Sequence, residues 1–182
     1  MQFDTLQGQR CKLRPFTEQD LPAFAAYRAD PAVARFQSWS SYSLDDARQL
    51  YAALKQTVFG ASDTWFQIAI ADRQHDSLLG DCALHFLADG QQIEIGFTLA
   101  SAQQGKGLAK EAVSLLLDYL FAQLDKHRVI AITDAENHPA RKLLLGLGFR
   151  QEAHYVQNVF FKGSWGDECL FACLASEWRS KS

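Results

Sequence analysis

Between residues 65 and 124 the apolar pattern changes period once, and this change restricts the fold more than any other feature of the chain. Three short apolar runs, Trp65 to Ala71, Leu79 to Leu87 and Gln91 to Leu99, follow one another across the polar turns Asp72 to Ser77 and Ala88-Asp89-Gly90. Runs of this length closed by turn residues read as strands, and connections this short make the neighbours antiparallel. The spacing then becomes helical. Leu108, Ala112, Leu116, Leu120 and Leu124 recur every four residues, with Ala109, Val113 and Leu117 beside them and Lys110, Glu111, Ser114 and Asp118 opposite. This predicts an amphipathic helix from about Gly107 to Leu124. A meander followed by a one-sided helix requires a sheet with that helix laid on one face.

The flanks extend the pattern. Cys11 to Pro15 reads as a short strand, and Thr17 with Asp20 has the spacing of a helix cap, predicting a helix to about Arg28 that Asp30-Pro31 interrupts. Ser43 with Asp46 repeats the signal for a helix from Leu44 to about Phe59. Further on, Arg128 to Thr133 reads as a buried strand. Asn137 can cap a helix with Pro139 in its first turn and Gly146 and Gly148 at its end. Phe149 to Phe161 and Asp167 to Leu174 read as long strands around a Lys162-Gly163-Ser164-Trp165-Gly166 turn. The predicted order is β-α-α-β-β-β-α-β-α-β-β, an α/β (α+β) mixed sheet, mostly antiparallel, flanked by helices. At 182 residues, 48% apolar and 21% charged, a single domain spanning 1–182 is expected.

A net charge of -3 gives no basic excess for nucleic acid or an anionic membrane, and neither is an expected partner. Cys11, Cys82, Cys169 and Cys173 form no CxxC pair and have no histidines beside them at ligand spacing, so buried reduced thiols and no metal are expected. The opening MQFDTLQGQR carries no apolar signal region, and no apolar stretch approaches the roughly 20 residues of a membrane span. The expected compartment is the cytoplasm.

The segment Ile93 to Ala109 runs from strand through glycine turn to helix. The first N–H groups of a helix lack partners within it and carry the positive end of its dipole. Gly105 and Gly107 let the backbone approach a ligand closely, so a pyrophosphate suits this place. The turn is no Walker motif, and Lys110 stands where GxGxxG needs its last glycine. By itself the segment reads equally as a flexible helix start.

Gln104-x-x-Gly107-x-Ala109, followed by Glu111-Ala112, resembles the Q/R-x-x-G-x-G/A signature of the GNAT superfamily of N-acetyltransferases. Glu94-Ile95-Gly96-Phe97 is similar to that family's central strand, and Asn137 with Leu147-Gly148-Phe149 to its Asn-led helix. Leu13-Arg14-Pro15, Asp20-Leu21, Lys162-Gly163-x-Trp165-x-Asp167 and Glu177-Trp178 resemble the RimJ/RimL-type branch that acetylates ribosomal-protein N-termini. The likeness covers about Gly8 to Trp178. It implies a GNAT-like fold, acetyl-CoA as cosubstrate, and transfer of acetyl to a primary amine. The acceptor would be a protein N-terminal α-amine or a small polyamine, aminoglycoside or amino-acid amine; the alternative is a non-catalytic acyl-CoA binding module.

The resemblance also implies residue roles. Backbone N–H groups of Gln104, Gly105, Lys106, Gly107, Leu108 and Ala109 would hold the pyrophosphate. The pantetheine arm would lie along Phe97, Thr98 and Leu99, where this strand splays from the one at Arg128 to Thr133. A backbone N–H near Phe97 would stabilise the oxyanion, and Asn137 would contact the coenzyme arm or an ordered water.

Acyl transfer needs a neutral amine. At pH 7 an α-amine of pKa near 7.8 is neutral in roughly one molecule of seven, and a lysine amine in fewer than about one per thousand. Glu94 is the leading candidate base, and reads equally as an ion-paired surface residue. His85, one strand away, and His138 are further candidates, each read first as a packing or first-turn residue. Where the family often has a serine to protonate the leaving thiolate, this chain has Ala140, and Tyr155 is the candidate substitute. A thiolate of pKa about 8.5 can also leave without an acid. Phe36, Trp39, Tyr42 and Trp65 are candidate walls of the acceptor pocket, with His85 facing it. Trp165 is a candidate for the opposite wall or a dimer contact, and the long late strands for pairing in a homodimer.

Overall fold

The computed structural model describes residues 3–180; residues 1, 2, 181 and 182 of the expected domain lie outside them. A short strand β1 (Leu6–Gln7) pairs antiparallel with β2 (Cys11–Arg14). Thr17 caps the first helix as its spacing predicts: its N–H donates to Asp20 Oδ2 at 2.7 Å, and the 3-10 turn Glu18–Asp20 leads into α1 (Leu21–Ala29). The Asp20 carboxylate is buried and takes two bonds from Arg14, at 2.7 and 2.8 Å, so the cap also ties α1 to β2. Asp30 caps one further turn, α2 (Pro31–Ala34), accepting from Ala32 N–H at 2.9 Å. The predicted break at Asp30-Pro31 is therefore a restart.

Helix α3 (Leu44–Gln56) begins on the Ser43–Asp46 capping box. It ends before Phe59, because Thr57 is extended and Phe59 turns into the core against the rings of Phe3, Phe66 and Phe86. The strands β3 (Thr64–Asp72), β4 (Leu78–Phe86) and β5 (Gln92–Leu99) form the expected antiparallel meander. Then α4 (Leu108–Asp118) continues into a π turn, Tyr119–Gln123, and this wider turn buries Tyr119, Leu120 and Phe121 in succession. The chain proceeds through β6 (Arg128–Asp134), α5 (His138–Leu147), β7 (Arg150–Phe161), β8 (Ser164–Leu174) and a short terminal helix α6 (Ala175–Arg179). The late hairpin is tighter than the expected five-residue turn. Lys162 and Gly163 alone connect Phe161 to Ser164, with φ of 50° and 87°, the two positive values that a two-residue type I′ turn demands.

The sheet order is β1-β2-β3-β4-β5-β6-β8-β7, antiparallel throughout except between β5 and β6. That parallel pair needs a crossover, which α4 supplies. Side-chain alternation sorts the meander onto two faces. Ile68, Ile70, Cys82, Leu84, Ile93 and Ile95 pack in the main core with Leu108, Ala112, Val113 and Leu116 of α4. On the other face Ala69 joins Phe24, Ala25 and Tyr27 of α1 and Ala47 of α3. Full burial of each large side chain contributes about 1.5–3 kcal/mol, so both faces are held strongly except where a cleft interrupts them. All four cysteines are buried, and none is in a disulfide. Among the described residues no helix is long and apolar enough to cross a membrane.

One irregularity positions the site. β5 pairs with β6 at Gln92, Ile93 and Glu94 only, opposite Arg128, Val129 and Ile130. Past Glu94 each strand stays with its other neighbour, β5 with β4 through Leu99 and β6 with β8 through Asp134. The sheet is open between them, as the resemblance implies.

Candidate active site

Two clefts meet at this opening. The outer one, about 470 Å³, lies between β5, the start of α4 and α5. The inner one, about 370 Å³, lies over the cleft face of the meander. Phe36, Gln37, Phe97, Thr98, Asn137 and Ala140 line both, so the two spaces join across the end of β5.

The outer cleft contains the glycine turn. Gly105 and Gly107 have φ of 72° and 77°, in the left-handed region that disfavours a side chain. The first helical bond of α4 runs from Glu111 N–H to Gly107 O, and no side chain caps the helix. Among the described residues the main-chain N–H groups of residues 105–110 donate to no protein acceptor, which is the condition for an anion cradle. Gln104 departs from expectation. Its N–H already donates to Ser101 O at 3.2 Å, while its side-chain Nε2 donates to Leu99 O at 3.1 Å. It braces the turn against β5 and leaves the cradle to the residues after it. Lys106 directs its ammonium to Gln103 Oε1 at 3.2 Å.

Sequence reasoning missed what supports the turn from behind. Arg10 Nη1 donates to Lys106 O at 2.7 Å, and Arg10 Nε donates to Glu111 Oε2 at 2.8 Å. Glu111 Oε1 also accepts from the N–H groups of Arg10 and Cys11, at 2.7 and 3.2 Å. Burial raises the Glu111 pKa, but these bonds outweigh it and hold the carboxyl down at about 2, from an ordinary 4.5. A carboxyl depressed in the fold stabilises above its unfolded pKa and loses that contribution as pH falls. Glu111→Gln should therefore be less stable than wild type by about 2–3 kcal/mol at pH 7, with the gap closing from pH 4.5 towards pH 2. Urea unfolding of both proteins across that range checks this, and a gap independent of pH contradicts it.

The direction of the β5 backbone follows from its ends. Ala100 N–H donates to Leu79 O at 3.0 Å, and Gln92 O accepts from Leu87 N–H at 3.1 Å. Even-numbered residues thus turn their main-chain groups to β4, and by alternation Phe97 turns its N–H and C=O to the gap. Asn137 faces it from α5. Its Oδ1 accepts from Ala140 N–H at 3.2 Å, which leaves the Nδ2 hydrogens for other partners.

The inner cleft is floored by residues of β3, β4 and β5: Trp65 and Glu94 from one cross-strand row, then Gln67, Ala83 and Gly96 from the next. Glu94, Phe36, Trp39 and Trp65 all line this space. His85 sits in the row between Trp65 and Glu94, but with its ring stacked on the Trp65 indole it lines neither cleft, contrary to its expected place facing the acceptor. Trp39 is fixed by its Nε1, which donates to Arg28 O at 2.9 Å, and by the Arg28 guanidinium 4.1 Å from its ring. Tyr42 packs behind it, on Trp39 and Phe24.

At the end of the cleft lies a buried network that the sequence reading did not single out. Asp81, 1% exposed, accepts from Tyr27 Oη, Gln67 Nε2 and Arg28 Nη2, the last at 3.1 Å. Burial, then the neighbouring Asp81 carboxylate, push the Tyr27 phenol well above its ordinary pKa, so it remains a donor. The available signal was Asp81 itself, the lone acid in the run LLGDCALHF.

Three further expected residues fall elsewhere. Tyr155, 40% exposed, pairs with Glu168 and lines neither cleft. β7 bulges between Tyr155 and Val159, with Gln157 at φ 47°, and it is Val159 and Phe161 that reach the inner cleft. His138 is exposed at the first position of α5 and also lines neither cleft. Trp165 stands exposed against Phe160, with ring centroids 5.4 Å apart.

A family model described as an acetyltransferase (GNAT) domain matches residues 10–150. The chain is 28% identical over 178 residues to the uncharacterized N-acetyltransferase p20 of Bacillus licheniformis, covering 97% of this chain and 99% of that one. It is 30% identical over 84 residues to the ribosomal protein uS5-alanine N-acetyltransferase of Escherichia coli, covering 46% and 43% of the two chains. Its fold matches the spermidine N-acetyltransferase of Vibrio cholerae, solved with CoA and spermine, at a TM-score of 0.81 and 24% identity, over 93% of this chain and 98% of that one.

Proposed function

The chain belongs to the GNAT family and is an N-acetyltransferase, and on that premise we propose that its acceptor is a protein N-terminal α-amine bound in the inner cleft. The observation that carries this reading is the junction of the two clefts at Phe97, where one face of an opened strand meets both a phosphate-sized cradle and a carboxylate-bearing floor. The whole of 1–182 is proposed as one acetyltransferase domain.

Acetyl-CoA supplies the acetyl group as an activated thioester. The N–H groups of Gly105, Lys106, Gly107, Leu108 and Ala109 hold its pyrophosphate, with the N-terminal dipole of α4 behind them. Phe97, Thr98 and Leu99 align its arm as an added strand would, and Asn137 Nδ2 donates to it from across the gap. Phe97 N–H donates to the carbonyl oxygen as negative charge develops there. Glu94 takes the proton of the attacking amine, directly or through water. No residue is assigned as acid for the leaving thiolate, since Tyr155 is outside both clefts and a thiol of pKa about 8.5 departs as thiolate unaided.

A second reading, a small cationic amine, is favoured by one feature: Glu94, Asp134 and Glu168 all line the inner cleft, against the single cation of Arg28, which Asp81 already pairs. A thiol-release assay separates the two. Peptides beginning with alanine or serine should be turned over with kcat/KM at least about tenfold above spermidine and spermine, about 1.4 kcal/mol of discrimination. The reverse order moves the assignment to polyamines. No turnover on any amine, with tight acetyl-CoA binding, reduces the protein to a binding module.

A further inference from the structure

Trp65, His85 and Glu94 stand directly opposite one another across three strands. The imidazole lies flat on the indole, with centroids 4.7 Å apart and planes at 11°. This stack fixes the ring so that each nitrogen faces one carboxylate. Nε2 is 3.1 Å from Asp63 Oδ1, and Nδ1 is 3.6 Å from Glu94 Oε2. Nδ1 is buried and makes no hydrogen bond, which is an unusual expense for a ring nitrogen unless a proton reaches it during function. The two carboxylates differ in access: the Glu94 side chain is 22% exposed and that of Asp63 76%. Asp63 adopts φ 54°, uncommon for a residue other than glycine, and this turn places it at the outer end of the row. Of the other charged groups lining this cleft, Asp81 and Arg28 belong to a separate row further along β4 and are paired with each other, and Asp134 and Glu168 belong to β6 and β8.

We infer that His85 is the exit for the proton removed from the acceptor, passing it from Glu94 to Asp63 and solvent. This rests on Glu94 being the base. The acceptor arrives as an ammonium ion; one proton must leave nitrogen before its bond to carbon can form, and must reach bulk water before Glu94 can serve the next turnover. The N–H bond of the ammonium breaks and its proton goes to the Glu94 carboxylate. Glu94 passes it to Nδ1 of neutral His85, whose Nε2 releases its own proton to Asp63, and Asp63 releases it to water. Exchange with water restores the starting tautomer of the ring. The second amine proton, lost as the C–N bond forms, balances the charge on the departing sulfur. No electrons are transferred in the relay. His85 touches neither reacting atom and is a positioning and relay residue.

The test measures kcat from pH 6 to 9 for wild type, His85→Gln, Asp63→Asn and Glu94→Gln, with an alanine-initiated peptide and spermidine as acceptors, in dilute buffer and with rising imidazole. His85→Gln should lose about tenfold in kcat in dilute buffer, keep its KM for acetyl-CoA, and recover as imidazole carries the proton instead. Asp63→Asn should show a smaller loss with the same rescue, and wild type should not respond to imidazole. A His85→Gln enzyme of full activity, or one whose loss no imidazole concentration relieves, overturns the relay. The failure of the underlying reading looks different: there Glu94→Gln itself retains activity. If neither acceptor is turned over, the tautomer of the His85 ring, read by nitrogen NMR, decides. The proton must reside on Nε2 with Nδ1 bare, and a proton held on Nδ1 overturns the relay.

Discussion

Gly107→Trp is expected to abolish acetyl-CoA binding while the chain still folds, with the calorimetric Kd rising at least about 100-fold. The structure modifies the reason one would first give. A Cβ at Gly107 would lie 3.3 Å from Arg10 Nη2, the far end of a flexible side chain, so the new residue meets the back of the turn first. Its larger effect is on the backbone. At φ 77° a side chain costs about 1–3 kcal/mol, and relief by rotation re-aims the N–H groups around Gly107 away from the cradle. Displacing Arg10 also releases Lys106 O, the other anchor of the turn. Losing two hydrogen bonds to a charged phosphate, at about 1.5–3 kcal/mol each, accounts for the fall in affinity. The core contacts of α4 begin at Leu108 and continue to the π turn, and they survive the change. Gly107→Ala should produce most of the same loss, because the strain is already present with a methyl group. Unchanged affinity in both variants would remove the turn as the coenzyme site.

Glu94→Gln should lower kcat about 100-fold between pH 6 and 9 and leave the Kd of acetyl-CoA within about threefold, the signature of a lost proton acceptor and not of lost binding. Glutamine keeps the size and position of the side chain in the row beside His85, so the cleft floor is preserved. The outer cleft does not include Glu94, which is why the coenzyme should not sense the change. Equal activity of the two proteins throughout that pH range would exclude Glu94 as the base.

How much of this was readable beforehand differs between the turn and the chemistry. The glycine turn was legible because its geometry is carried by local backbone: Gly105 and Gly107 at the start of a long apolar stripe imply N–H groups without helical partners wherever the helix lies. Arg10 and Glu111, which hold the turn from behind, are 101 positions apart and carried no joint signal. Tyr155 was assigned on its place in a late strand, but it lies on the edge strand β7 opposite Glu168, and it is Val159, beyond a bulge, and Phe161 that reach the inner cleft. Glu94 and His85 were both visible as polar residues in strands, yet their adjacency depends on the β4–β5 register. Asp81 was passed over because a single acid in an apolar strand shows no partner in one dimension. Its donors come from α1 and β3.

The sequence alone determined the order of elements, the meander, the capped helices and the glycine turn that opens α4, because periodicity, caps and glycine conformations are properties of neighbours along the chain. The tertiary structure decided the opening between β5 and β6, the insertion of β8 between β6 and β7, and the meeting of Trp65, His85 and Glu94. These depend on which strands pair and where pairing stops, a competition among distant segments that no local pattern records.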